Sequence, residues 1–149
     1  MLCEWTNPAD VDALLPCLEA LSAHHNAVST YFHGAFPSRP YAYTLESFRD
    51  ALQKGQSRIA VIVIENTVAG FAKVDIDQAA DHGKLDYLIV LDAYRGMGYG
   101  KALMDWAMDI FADAEISTIE IKVIEGNDAA QFYERYGFRP ISRMYRRKV

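Results

Sequence analysis

The run Arg95-Gly96-Met97-Gly98-Tyr99-Gly100-Lys101 constrains this chain more than any other segment. It joins a strongly apolar, strand-like stretch, Leu85 to Leu91, directly to a helical stripe at Leu103, Trp106, Ala107, Ile110 and Phe111. A strand that feeds a glycine turn and then an amphipathic helix calls for a sheet and a helix packed in layers. The same junction is where an anion would sit. Glycines permit conformations and close approaches that a Cβ blocks, and the first amides of a helix are unpaired and carry the positive end of its dipole. Arg95 adds a permanent cation. Spacing then narrows the phosphate ligand. The dinucleotide fingerprint needs a third glycine one position later, where Lys101 stands. The phosphate loop of nucleotide hydrolases needs four residues between its glycines and a hydroxyl residue after the lysine, whereas Gly96 and Gly100 enclose three and Ala102 follows Lys101. Neither pattern fits.

The rest of the chain reads as one module, residues 1–149, without internal repeat, low-complexity tract or linker. Leu2 to Trp5 is strand-like, and Asn7 before Pro8 reads as a helix cap with proline at the first helical position. Val11, Leu14, Leu15, Leu18 and Leu21 repeat at helical period, with a kink expected at Pro16. A second helix is expected from a Thr44 cap, burying Leu45, Phe48 and Leu52 and stopping near Gly55, and the histidine-bearing and aromatic stretch His24 to Tyr43 between the two reads as a long loop. Ile59 to Ile64, Val68 to Ile76 and Leu85 to Leu91, separated by turn residues, read as consecutive antiparallel strands. After the helix at Leu103 to Phe111 come an alternating strand at Ile119, Ile121 and Val123, a short helix from about Asn127 to Tyr136, and a terminal strand or hairpin over Phe138 to Arg147. The order predicts a mixed α/β sheet.

A net charge of -5 and a single short basic cluster, Arg143 to Lys148, disfavour a nucleic-acid binder, which needs clustered cations along its surface. No apolar run approaches the ~20 residues of a bilayer span, and Met1-Leu2-Cys3-Glu4-Trp5 lacks a secretory pattern, so a cytoplasmic protein without a membrane partner is expected. Cys3 and Cys17 fit no metal spacing and read as small apolar fillers, and His24, His25 and His33 lack a zinc spacing with a carboxylate, so no metal is expected.

The residual pattern Arg95-x-x-Gly98-x-Gly100 resembles the pyrophosphate loop of the GNAT superfamily of acetyl-coenzyme A dependent N-acetyltransferases. Leu88-Ile89-Val90 and Tyr94-Arg95-Gly96 match the family's approach to that loop, although Asp92 stands where the family often has proline. Downstream, Phe132-Tyr133-Glu134-Arg135-Tyr136-Gly137-Phe138 resembles its second signature, a tyrosine-bearing helix that ends in Gly-Phe. The resemblance implies the GNAT fold, in the order β-α-α-β-β-β-α-β-α-β. In that reading the amides of Arg95, Gly96, Met97, Gly98, Tyr99 and Gly100 cradle a pyrophosphate, with Lys101 at the helix start near the same charge. The strand at Leu88, Ile89 and Val90 would splay from its neighbour and pair with the pantetheine arm, with the Val90 amide aimed at the thioester oxygen.

Acyl transfer from a thioester to an amine also needs a proton for the departing sulfur and a sink for the proton of the amine. The resemblance implies Tyr133 as the acid; a phenol of ordinary pKa, about 10, is protonated at neutral pH. Asp86 lies where family members often carry an acidic residue. Two readings stay open for it, a base acting through water or after an upward shift, and a strand carboxylate that faces solvent. Tyr87 is expected on the opposite sheet face, and His82, in a turn, is expected at the surface. Asn127 is either a cofactor contact or a helix cap, because it stands six residues before Tyr133 where the family often has asparagine seven before, and Gly126 takes the aligned place. His24, His25, Tyr31, Phe32, His33, Tyr41 and Tyr43 could line an acceptor cleft or close the core. The function expected is direct transfer of an acetyl group to a primary amine, from a homodimer. A noncatalytic acyl-coenzyme A sensor and a nucleotide-binding protein are the alternatives.

Overall fold

A computed structural model describes residues 1–149. Its spine is a five-stranded sheet in the order β1 (Leu2–Trp5), β2 (Ser57–Ile64), β3 (Thr67–Asp77), β4 (His82–Val90), β5 (Thr118–Ile121). The first four strands are antiparallel neighbours, and β5 runs parallel to β4. A parallel neighbour needs a crossover, and the helix α3 (Tyr99–Asp113) supplies it. The expected mixed α/β class, with consecutive antiparallel strands followed by a β-to-helix crossover, is what the chain adopts.

Each face of the sheet carries its own core, because the strands are apolar on both sides. Ala60, Ile62, Ala72, Val74 and Leu85 pack under Leu103, Met104, Ala107 and Phe111 of α3. On the other face Ile59, Val61, Phe71 and Ile89 pack against Val11, Leu14, Cys17 and Leu18 from the N-terminal helical region and Leu45 and Phe48 of α2 (Tyr41–Gln53). At roughly 25 cal/mol per Å² of apolar surface removed from water, these two layers provide the main drive to fold. Cys3 and Cys17 are unpaired, and Cys17 is a core filler.

Several local expectations change. Asn7 does cap a helical turn, its side chain accepting from the Ala9 amide at 3.0 Å, but the turn over Pro8–Leu14 is a 3-10 helix. Pro16 does not kink a longer helix. It stands at the start of α1 (Leu15–Val28), where its missing donor costs nothing. That helix continues through His24 and His25, which therefore lie on its last turns and not in a loop. Helix α2 begins at Tyr41 after Pro40, three residues before the expected Thr44 cap, because proline's fixed φ already sets the chain for a helix. The tyrosine-bearing helix α4 spans Ala130–Glu134. Beyond Phe138 no strand forms. Arg139 to Val149 run exposed, five positive charges in eleven residues with Pro140 near the start.

Candidate functional site

The site is a gap in the sheet, and the cause of the gap is one residue. Strands β4 and β5 pair only from His82 with Thr118 to Leu85 with Ile121, where β5 ends while β4 continues to Val90. On its other edge β4 pairs Leu85 with Val74 and Tyr87 with Lys73, so Asp86 is an extra residue, a bulge. A bulge bends its strand and sharpens the local twist, and here it falls where β4 leaves β5. Beyond it, the Leu91 amide donates to Ala69 O at 2.8 Å, so by alternation Ile89 and Leu91 turn their polar groups to β3 while Leu88 and Val90 turn theirs into the gap. The Val90 carbonyl accepts from Arg95 Nε at 3.2 Å, which leaves the Leu88 and Val90 amides facing open space.

The gap leads to the glycine loop. Gly96 and Gly98 have φ of +79° and +83°, a left-handed conformation that side-chain-bearing residues adopt at a cost, and nothing stands within 4 Å of where a Cβ would lie on either. Gly98 caps α3 without a side chain, and the first helical bond is from the Ala102 amide to Gly98 O at 3.0 Å. The amides of Tyr99, Gly100 and Lys101 therefore have no helical partner and face the loop. Arg95 is held by Asp92 at 3.1 Å, and Met97 is exposed. The Lys101 ammonium turns along the helix to Asp105 at 2.6 Å, and that bond raises its pKa; its amide, not its charge, is what it offers the loop. Free main-chain donors beside an open approach are an arrangement that can take an anion.

Tyr133 lies on α4, half-buried against the α3 side of the sheet, its ring edge-on to Phe132 at 5.5 Å and to Phe138 at 6.3 Å. Burial pushes its phenol up to about 12, so it stays protonated at neutral pH and keeps a proton to give. Its hydroxyl makes no hydrogen bond within the chain and is not sealed from solvent. Asn127 Oδ1 accepts from the Ala129 amide at 3.1 Å in the turn before α4, whose N-cap is Ala129 and carries no side-chain cap, and faces His24 Nε2 at 3.4 Å. Next to it Gly126 has φ +94°, and an added Cβ would come within 2.0 Å of Val28 O, so the last turn of α1 rests on this turn.

On the α2 face the structure corrects the expectation for Asp86 and Tyr87. The bulge puts both on one face: Asp86 reaches Lys73, and Tyr87 packs its ring against Phe48 at 5.0 Å and Phe71 at 5.9 Å. Asp86 is no free base, since Oδ2 meets Lys73 at 2.7 Å and Oδ1 meets Lys84 at 3.2 Å. Burial pushes its carboxyl up, but the charge and hydrogen bond of Lys73, with those of Lys84, outweigh this and hold it below the ordinary range. Lys73 itself is 4% exposed, bonded also to Asp75 at 2.7 Å and lying 5.1 Å over the Phe48 ring; Ser57 donates to Asp75. Sequence reasoning missed Lys73. The signal was its phase, since Phe71, Lys73 and Asp75 alternate with buried Ala72 and Val74 on a strand covered on both faces.

The remaining candidates divide. His82 bonds Glu120 across β4 and β5 at the surface. The Asn26 side chain clamps both backbone groups of Phe36, at 2.9 and 2.8 Å, and Phe36 lies edge-on to His25 at 5.3 Å. This fastens the segment between α1 and α2 near the α4 turn. Tyr31 and Tyr43 are exposed, Tyr41 joins the core, and His33 bonds the Asn26 carbonyl. No group of three metal-ligating side chains occurs, and no helix is long and apolar enough to cross a membrane.

Comparison with known proteins gives the same outline. The model of the Acetyltransferase (GNAT) family matches residues 21–138. Among solved structures, the PaiA N-acetyltransferase of Thermoplasma acidophilum in complex with coenzyme A superposes with a TM-score of 0.76 at 18% identity, over 93% of this chain and 90% of that one. The ribosomal-protein-alanine N-acetyltransferase of Brucella melitensis gives 0.66 at 18% identity, over 100% and 99%. An aminoglycoside acetyltransferase from an uncultured soil metagenomic sample, in complex with sisomicin, gives 0.70 at 13% identity, over 100% and 96%. At these identities the likeness is one of fold.

Proposed function

The chain belongs to the GNAT acetyltransferase family, and from that premise we propose that it is a single-domain N-acetyltransferase, residues 1–149, that moves the acetyl group of acetyl-coenzyme A to a primary amine. The observation that carries this reading is the unpaired edge of β4 from Asp86 to Val90, which one short 3-10 turn, Asp92–Tyr94, joins to a glycine loop with free amides. An extended pantetheine arm fits such an edge as an added strand would, and a pyrophosphate fits the loop. In this reading Leu88, Ile89 and Val90 hold the arm, and Arg95 to Lys101 hold the pyrophosphate through main-chain donors. The open approach around Gly96 and Gly98 supports it.

The reaction asks little else of the chain. The amine nitrogen bonds the thioester carbon, the Val90 amide meets the growing charge on oxygen, and the carbon–sulfur bond breaks. The acceptor's ammonium loses one proton to water before attack, Tyr133 gives its proton to the leaving sulfur, and the second proton that the nitrogen sheds as the amide forms returns to Tyr133. The high pKa of Tyr133 supports an acid that is always loaded. Asp75 and Asp86 are matched by Lys73 and Lys84, so the cluster brings no net negative charge; in this reading its partly open carboxylate oxygens accept hydrogen bonds from the amine end of an acceptor. Asn127 serves the reaction by holding the turn before α4 and, where the arm passes that turn, as a contact. The acceptor is a small-molecule or protein amine, the active unit a homodimer, and the location cytoplasmic.

Calorimetry with acetyl-coenzyme A, followed by a thiol-release screen over diverse amines, tests both halves. Tyr133→Phe is expected to bind acetyl-coenzyme A within about twofold of the parent while turnover falls by ~100-fold or more. Binding without turnover against any amine would favour the sensor, and binding of ATP or NAD with none of coenzyme A would favour a nucleotide protein.

A further inference from the structure

The α2 face of the gap holds groups that the acyl transfer leaves unused. Tyr87 follows the bulge on the unpaired stretch of β4, on the same side as Asp86, and its ring is locked against Phe48 at 5.0 Å and Phe71 at 5.9 Å. Its hydroxyl makes no hydrogen bond within the chain and is not sealed from solvent. A phenol held by its ring and open at its tip has a hydrogen bond to give to whatever enters beside it. Burial and then the charge of Asp86 raise its pKa, the charge of Arg39 draws it down, and Asp75 adds to the rise. The phenol therefore keeps its proton at neutral pH, and the Arg39 guanidinium stands within electrostatic reach of it.

Arg39 lies on the connection between α1 and α2, two residues before α2 begins. It is exposed and enters no ion pair or hydrogen bond in the chain; its guanidinium lies 5.4 Å over the ring of Tyr43 in the first turn of α2. Pro40 behind it and the Asn26 clamp on Phe36 before it set the course of the backbone at this point. The cluster around Tyr87 thus has three cations, Arg39, Lys73 and Lys84, against two carboxylates, Asp75 and Asp86, although the whole chain carries -5. A polycationic acceptor finds no favourable field there. An anionic group finds two donors, the guanidinium and the phenol, next to carboxylate oxygens that can take an amine.

We propose that the acceptor is a free amino acid, whose carboxylate is held by Arg39 and the Tyr87 hydroxyl while its amine end is held by the open oxygens of Asp86 and Asp75 at the gap. The surplus of a single positive charge matches a carboxylate and not the double charge of a phosphate monoester, and the planar fork of a guanidinium fits the two carboxylate oxygens. Arg39 and Tyr87 are then the residues that set specificity. They touch neither the thioester nor the pyrophosphate, and they select the amine by the group attached to it. This rests on the N-acetyltransferase reading above and names its substrate class.

Thiol release from acetyl-coenzyme A, measured with the common amino acids, each beside its α-amide and its decarboxylated amine, tests it. The best amino acid is expected to exceed both of its analogues by ~10-fold or more in kcat/KM, since they keep the amine and lose the charge-assisted bonds. Arg39→Gln, at an exposed position where the fold is not at stake, should bring that preference to within about threefold of none, by raising KM for the amino acid ~10-fold or more with kcat little changed; Arg39→Lys should restore part of it. Tyr87→Phe keeps the ring in its packing and should raise the same KM by about fivefold. Amides or bare amines that react as well as the acids, or an Arg39→Gln protein that keeps the preference, would overturn the proposal and leave the acetyltransferase reading standing. A chain that releases no thiol with any amine would overturn that reading, and this one with it.

Discussion

Replacing Lys73 by methionine keeps the stem over the Phe48 ring and deletes one buried charge, which isolates the electrostatics of the α2 face. The ammonium sits 2.7 Å from Asp75 and 2.7 Å from Asp86, and its side chain is almost wholly buried. Removing one partner of a buried ion pair costs ~3–5 kcal/mol, because the other charge is left without compensation. Here Asp86 keeps 20% and Asp75 33% of their side-chain surface in water, and Lys84 stays 3.2 Å from Asp86. The cost at neutral pH is therefore about 2–4 kcal/mol. For a chain of this length that corresponds to a fall in melting temperature of about 5–15 °C. The pH dependence supplies the sign. In the parent, Asp86 has a folded pKa below its unfolded value, so its contribution is complete above the ordinary carboxylate pKa and is lost as pH falls through the folded one. Without Lys73 the push from burial faces Lys84 alone, Asp86 takes a proton at higher pH, and the gap between variant and parent narrows as pH falls into the ordinary carboxylate range. Urea denaturation of both proteins at pH 7 and at the lower pH measures this. A penalty under about 1 kcal/mol at pH 7, or one that does not change with pH, would refute the account of the cluster.

Two further substitutions, with Gly55→Ala as a control, probe the frame of the gap. Gly126→Ala meets Val28 O in a left-handed conformation and should cost ~2 kcal/mol or more, with faster amide exchange in the last turn of α1; Gly55→Ala, at φ +68° with open space around it, should cost about half as much in the same melts. Gly98→Val places a branched side chain in a left-handed cap among the free amides. It should weaken acetyl-coenzyme A by at least ~10-fold in calorimetry while the fold survives, and unchanged affinity would remove the loop from the binding site.

The strands, the crossover helix and the glycine loop were legible because each is written locally, in period-two or helical alternation and in glycines that punctuate it. What was not legible depends on register. Nothing in Leu85-Asp86-Tyr87 announces that Asp86 is supernumerary, because a bulge is defined by the partner strand, and so the two side chains were expected on opposite faces. The burial of Lys73 is likewise a property of three strands and α2 together. The reach of α1 through His24 and His25 escaped because two histidines carry no helical signal, and the helix is held there from outside, by Gly126 and Asn127. Phe138 to Arg147 has the composition of a strand, yet a strand needs a partner, and within one chain the segment finds none.

The extra residue at position 86 also sets what an engineer may change. Residues 82–85 and 87–90 obey opposite inward and outward parity, so a library drawn as one uninterrupted repeat would place half of its substitutions on the wrong side. Length at this point is stricter than chemistry. Another side chain can stand there, but deleting the position would bring the two halves into phase, let β4 zip onto the chain beyond Ile121, and erase the opening that the proposed reading gives to the donor.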